Sequence, residues 1–317
     1  FLSNMSHEIR TPINAVLGLD EMILRESTES AIKAYARDIQ SSGKSLLSII
    51  NDILDFSKIE AGKLEIIPVD YDLSTTVTDL VNMIAPRAVS KNLTFTVNVD
   101  PSIPNKLRGD ETRVKQCIVN ILTNAVKYTP QGSVTMNFSY EKASASTIRL
   151  RVQVIDTGIG IKEKDLQKLF SPFERIEERR NRSIEGTGLG MSIVKSLLAA
   201  MGTQIEVKSV YGKGSDFSFS VEQTVNDWAP IGDYRETRAK NAAKAERYTE
   251  SFQAPDARIL AVDDTPLNLT VICGLLKKTR IHIDVAESGS VALNMARKQP
   301  YHLLLVDHRM PKMDGIE

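Results

Sequence analysis

Only two cysteines occur in 317 residues, Cys117 and Cys273, and each sits inside an apolar helical pattern. Two such thiols with no metal-ligand spacing exclude a disulfide framework or a structural zinc site, and they read as buried groups of a reducing compartment. No apolar run approaches the ~18 residues of a membrane span, and no signal peptide is visible. Charge of one sign is missing too: 40 basic residues stand against 40 acidic. A net charge of zero removes the electrostatic case for nucleic acid or an anionic membrane as the main partner. The length predicts two or three compact units of about 100–200 residues each. The sequence opens on Phe1 and stops after Glu317, so it is expected to be the cytoplasmic piece of something longer, with any membrane attachment elsewhere in the parent.

What is present begins with a histidine on a helix. Leu2, Ile9, Val16 and Ile23 recur at steps of seven, the seam of a helix that packs on other helices. His7 lies two residues before Ile9, roughly 200° round the helix, and so points away from the seam. Glu8 follows it, and Thr11 sits one turn on, on the histidine's own face. Pro12 lacks an N–H and is expected to bend the helix. An imidazole in water has a pKa of about 6.5 and is largely an uncharged nucleophile near neutral pH, with a neighbouring carboxylate available for its proton. Ile32, Ile39, Leu46 and Ile53 repeat the seven-residue step. Residues 1–60 therefore read as an antiparallel hairpin that buries its seam in a symmetric dimer, a four-helix bundle.

Residues 61–225 interleave helices and strands without βαβ regularity, which predicts an α+β sandwich. Strands are expected at 63–69, 93–99, 133–140, 147–155 and 216–221, and helices at 73–90, 108–129 and 191–201. Three features carry chemistry. Asn120, Asn124 and Lys127 fall at i, i+4 and i+7 on one helix face, where amide oxygens suit a hard cation and an ammonium suits phosphate. Asp156-Thr-Gly158-Ile-Gly160 follows a strand, so backbone can approach a ligand closely and a carboxylate can accept from an exocyclic amine. Gly186-Thr187-Gly188-Leu189-Gly190 opens a helix and offers free N–H groups to phosphate. It is not the dinucleotide fingerprint, since no strand immediately precedes it. The segment before it, residues 170–185, has the polar composition of a lid. Residues 226–256 read as a polar linker with a charged helix over 236–248.

From residue 257 to 317 the pattern is βαβαβ, with strands at 258–262, 281–285 and 302–306 and helices at 267–278 and 290–297. Regular alternation means a parallel sheet with right-handed crossovers. In a flavodoxin-like order the first and third strands are neighbours, so Asp263, Asp264 and Asp307 meet at one carboxyl edge. Three carboxylates there call for a cation, and oxygen-only ligands indicate Mg²⁺.

The order of these boxes resembles the catalytic core of the sensor histidine kinases of two-component systems. His7-Glu8-Ile9-Arg10-Thr11-Pro12 is similar to that family's phosphoacceptor box, and residues 120–129 (NILTNAVKYT) to its N box. Residues 156–161 resemble the first glycine box, 169–173 (LFSPF) the F box and 186–190 the second glycine box. Residues 257–317 resemble the receiver domain of response regulators, and the whole a hybrid histidine kinase. The resemblance implies that His7 takes the γ-phosphoryl group of ATP with Glu8 as base, and that Thr11 serves the reverse, phosphatase reaction. It implies that Asn124 holds Mg²⁺ beside Asn120, that Lys127 and Tyr128 contact the nucleotide, and that Asp156 reads the adenine amine. Gly158, Gly160, Gly186, Thr187, Gly188, Leu189 and Gly190 would surround the nucleotide. Asp307 would accept the phosphoryl group, with Asp263 and Asp264 holding Mg²⁺, and a downstream phosphotransfer protein or response regulator would follow. The family's switch hydroxyl and lysine would lie beyond Glu317, so the receiver is read as truncated. Hinges are expected near Ala61-Gly62 and in the linker. An ATPase of the same nucleotide-binding architecture, or a scaffold or net phosphatase, stays open as an alternative.

Overall fold

The computed structural model describes residues 2–174, 187–234, 252–308 and 310–316, with backbone alone for residues 2–8. The chain divides into two compact units, residues 1–50 with 246–317, and residues 51–245. The helix expected over 236–248 lies outside the described residues.

The first unit holds helix α1 (Leu2–Glu26) and most of α2 (Ser30–Glu60). Pro12 lies inside α1, and the helix runs unbroken through it. The two helices approach closely where Gly43, with no Cβ, leaves room for Leu17, and Ala15 and Ala36 are buried. Among the described residues the heptad seam stays largely uncovered: Ile9, Val16, Ile23, Ile32, Ile39, Leu46 and Ile53 are 37–48% exposed. Asp20 is buried, neither of its carboxylate oxygens accepts a hydrogen bond, and burial raises its pKa.

In the same unit β8 (Arg258–Val262), α7 (Pro266–Leu276), β9 (His282–Ala286), α8 (Gly289–Lys298) and β10 (Leu303–Val306) alternate as expected. All three strands are parallel in the order β10-β8-β9, which makes the first and third strands neighbours. Ser288 caps α8 by accepting the Val291 N–H at 3.4 Å, satisfying one of the donors a helix start leaves free. Cys273 is only half-buried, whereas Cys117 of the second unit is fully buried, its thiol pushed up to about 12 by desolvation.

The second unit is a seven-stranded sheet in the order β1-β3-β7-β5-β4-β2, with β6 also on β7. Its strands are β1 (Val69–Asp72), β2 (Thr94–Val99), β3 (Pro104–Gly109), β4 (Ser133–Lys142), β5 (Thr147–Asp156), β6 (Ile205–Val210) and β7 (Gly214–Pro230). Helices α3 (Leu73–Ser90), α4 (Glu111–Tyr128) and α6 (Gly190–Ala200) contribute to one core with the sheet, and the short α5 (Glu163–Leu166) follows β5. Alternation decides which side chains enter that core. On β5, Ile148, Leu150, Val152 and Val154 are buried, two residues apart. The result is the sandwich the sequence implied.

Four expectations need correction. Residues 63–68 are irregular, and the strand starts at Val69. The helix expected from 108 starts at Glu111, because Asp110 caps it by accepting the Arg113 N–H at 3.0 Å and residues 104–109 form β3. Strand β6 was not anticipated. Strand β7 runs to Pro230, so residues 226–230, read as linker, belong to the sheet, paired with β3.

Candidate nucleotide site and phosphoacceptor cluster

The nucleotide-site candidates converge because α4 crosses the end of β5. The apolar face of α4, including Val114, Cys117, Ile118, Ile121, Leu122, Ala125 and Val126, is buried. That leaves Asn120, Asn124, Lys127 and Tyr128 half-buried beside it. The C-terminal carbonyls of α4 are held by Lys91, whose Nζ donates to Val126 O at 3.0 Å and Lys127 O at 2.9 Å. A cation there also complements the negative end of the helix dipole.

Asp156 continues the inward parity of β5, so its carboxylate turns to the helix side at 5% exposure. It accepts the Gly158 N–H at 2.8 Å. Burial raises its pKa, while hydrogen bonds from Gly158 and Ser215 pull the other way. Gly158 is required by close approach: a Cβ would strike Tyr128 O, and Asp156 Oδ1 and Thr129 Oγ1 stand at 2.8 Å. The Ile159 N–H donates to Tyr128 O at 3.2 Å, tying the first glycine box to the end of α4.

The second glycine box reaches the middle of the same helix. Asn120 Nδ2 donates to Gly190 O at 3.4 Å. Gly188 adopts φ +73°, a left-handed conformation costly for any residue with a side chain, and its Cα side faces the backbone of Phe173. Leu189 has its side chain fully inside the core, so only its backbone is available to a ligand, and its N–H donates to Thr187 Oγ1 at 3.2 Å. Gly186 and the side chains of His7 and Glu8 lie outside the described residues. The backbone of His7 is in α1, and Thr11 is half-buried one turn on.

Three residues that sequence reasoning passed over also reach this site. Asp52, Asp55 and Phe56 share one face of α2 by their i, i+3, i+4 spacing. Asp52 Oδ2 accepts the Thr187 hydroxyl at 3.3 Å. Asp55 accepts from Arg113 Nη1 at 3.2 Å and from Gln116 Nε2 at 2.7 Å. The Phe56 ring meets Phe173 edge-on, with centroids 5.6 Å apart. Their only sequence signal was a pair of acids interrupting an apolar helix, and their partners lie 58 to 135 positions away.

In the other unit, ligand oxygens of Asp263, Asp264 and Asp307 lie within 4.8 Å of one another. The geometry follows from the pairing of β10 with β8, since Asp307 N–H donates to Val262 O at 2.9 Å. Asp263 is buried and steadied by Asn268 Nδ2 at 3.0 Å and Thr265 N–H at 2.8 Å. An all-carboxylate set of this spacing fits a hard divalent cation such as Mg²⁺.

Helix α7 lies on α1. Val271 fills the space over Gly18, Met22 fills the space over Gly274, and Lys277 Nζ pairs with Glu26 Oε1 at 3.0 Å. The contacts ascend together along both helices, so α7 and α1 run parallel.

Comparison with known proteins assigns the three parts. Residues 1–62 match the His Kinase A (phospho-acceptor) domain, residues 109–225 the histidine kinase-, DNA gyrase B- and HSP90-like ATPase, and residues 259–317 the response regulator receiver domain. The chain belongs to the hybrid sensor histidine kinases. It is 33% identical over 320 residues to the autoinducer 2 sensor kinase/phosphatase LuxQ of Vibrio vulnificus, covering 100% of this chain and 36% of that protein. It is 32% identical over 323 residues to the aerobic respiration control sensor protein ArcB of Escherichia coli, covering 100% of this chain and 39% of the relative. The chain thus spans less than two-fifths of the length of these two hybrid-kinase relatives. Full-length ShkA, solved with AMPPNP, superposes with a TM-score of 0.57 over 99% of this chain and 88% of its own, at 22% identity. That likeness supports the fold. No described helix of this histidine kinase is long and apolar enough to cross a membrane.

Proposed function

We propose that this chain autophosphorylates His7 from Mg-ATP and that, in the full-length protein, it relays the phosphoryl group to Asp307 of the same chain. In the first step the γ-phosphorus forms a bond to an imidazole nitrogen of His7, the bond to the bridging oxygen breaks, and ADP leaves. Glu8 takes the imidazole proton. Asp156 accepts the adenine amine, Lys127 and the N–H groups of the second glycine box bind phosphate, and Asn124 with Asn120 orients the triphosphate. The residues present fit Mg²⁺ at two places, Asn124 and the carboxylates of Asp263, Asp264 and Asp307, and there it would neutralise charge on the transferring group. In the second step an Asp307 oxygen bonds to phosphorus, the P–N bond breaks, and an acyl phosphate forms. Catalysis of this kind is mostly positioning and charge neutralisation.

The observation that carries the relay is the parallel packing of α7 on α1. Val271 lies over Gly18. Five residues back along each helix brings Pro266, the first residue of α7, level with Ile13, six residues from His7, and Asp264 precedes Pro266 by two. Because α7 runs parallel to α1, its start, which follows Asp263 and Asp264, is directed toward the histidine end of α1, and this direction supports the relay. The uncovered seam of the hairpin supports assembly of two chains into a four-helix bundle. Downstream of Asp307, a separate phosphotransfer protein or regulator is the expected partner.

The test is labelling with Mg and γ-labelled ATP, followed by acid and alkali. Label that is lost in acid and survives alkali identifies a phosphohistidine, and His7→Gln should abolish it while nucleotide still binds. Wild-type labelling in the Gln variant would sink the assignment.

A further inference from the structure

The second glycine box has a competitor for its ligand, and the competitor is on helix α2. Thr187 has one hydroxyl hydrogen, and it is donated to Asp52 Oδ2 at 3.3 Å. The Thr187 Oγ1 in turn accepts the Leu189 N–H at 3.2 Å, a donor at the opening of α6 that would otherwise face a phosphate. A nucleotide phosphate at this box needs those hydrogens, and it would also stand beside the negative carboxylate of Asp52. The neighbouring contacts hold the carboxylate in place. Asp55 is anchored to Arg113 and Gln116 of α4, and the Arg113–Asp55 pair is largely shielded, at 19% and 16% side-chain exposure. Phe56 packs on Phe173, whose backbone sits at φ +62°, a conformation that a bulky residue keeps only when its surroundings hold it there.

We infer that Asp52 is a positioning residue that occupies Thr187 in competition with the nucleotide phosphates, so that ATP binding and release of the end of α2 are coupled. Burial raises the pKa of Asp52, and the Thr187 hydroxyl is what favours its charged form. Losing that hydroxyl to phosphate leaves a carboxylate that is better accommodated in water, which drives the helix end away. Coupling is reciprocal: whatever holds α2 against the box weakens ATP binding by the same factor that ATP weakens the contact. A device of this kind links the histidine-bearing hairpin to the state of its own nucleotide site.

The inference rests on the ATP site proposed above, and the test separates the two. Binding of a fluorescent ATP analogue and the rate of His7 labelling are measured for wild type, Asp52→Asn, Asp52→Ala and Asp55→Asn. Asn keeps an acceptor for Thr187 without the charge, and Ala removes both. The expected result is nucleotide binding about 5- to 50-fold tighter in the Ala variant, within the usual range of coupling between sites, with a smaller gain in the Asn variant. The KM for ATP falls while the maximal labelling rate does not, a split that general loosening of the fold would not produce. Unchanged or weaker binding in both Asp52 variants overturns the inference alone. Asp55→Asn, which loosens the same helix end and leaves the Thr187 contact in place, should give a smaller gain by the same reciprocity, and weaker binding there also overturns the inference. A wild-type protein that binds no nucleotide overturns the ATP site and the inference with it.

Discussion

Asp156 is where a single residue's chemistry can be read most directly. Its pKa is raised by burial, and an acceptor for an exocyclic amine works best ionised. Sign follows from that direction: affinity for the nucleotide is full above the raised pKa and falls on acidification, at a pH higher than an ordinary carboxylate would give. Asp156→Asn should weaken binding roughly 10- to 150-fold, the worth of a hydrogen bond to a charged group, and should flatten the acid limb. Equal affinity and equal pH dependence in the two proteins would remove Asp156 from the site. This residue was legible in the sequence because one strand carries it: its position in the alternation of β5 and the two glycines after it are local facts. Leu189 was legible only in part. Its place in the glycine box is local, but the burial of its side chain depends on the packing of α6. Asp52 was not legible, since its partner Thr187 lies 135 positions away and nothing near it in the chain announces the pairing.

At the scale of elements, the N-box helix depends on a residue outside it. Lys91 Nζ satisfies two carbonyls at the end of α4 that the helix itself leaves without partners. Lys91→Met keeps the stem and removes the cap, and should cost about 0.5–1 kcal/mol. The check is a lower urea midpoint with an unchanged slope; an unchanged midpoint would mean that water replaces the ammonium without loss. Elements with clean periodicity, such as α3, β4 and β5, were readable to within a residue or two. Those that failed did so for identifiable reasons. Gln223 stands at an inward position of β7, 3% exposed, and accepts the Tyr71 hydroxyl at 2.9 Å. A polar residue in the apolar parity hides the continuation of the strand through Val225 to Pro230. Strand β3 offers only Leu107 among polar neighbours, and Asp110, which ends it, also takes the Ile67 N–H at 2.8 Å. That carboxylate anchors a segment that alternation alone had made a strand.

For the whole molecule, the order of parts was written in the order of motifs, because each box is a short local pattern. How the receiver meets the hairpin was not, because it depends on two glycines in helices that have no turn or cap to explain them. Gly18 receives Val271 and Gly274 receives Met22, so each helix supplies a gap for the other and the axes can approach closely. A side chain at either glycine closes its gap. Gly18→Leu should raise the helix propensity of α1 by about 1 kcal/mol, yet overpack the contact by about 1–3 kcal/mol, a factor of roughly 5 to 150 in the docked population. In the full-length chain, His7 labelling should persist while transfer to Asp307 slows by that factor, read as acid-labile label accumulating at the expense of alkali-labile label. Gly274→Leu should act alike, and combining it with Met22→Ala should recover much of the transfer by vacating the space the leucine needs. Transfer at the wild-type rate in both single variants would mean that the relay does not pass through this helix pair, and that His7 and Asp307 meet by another route.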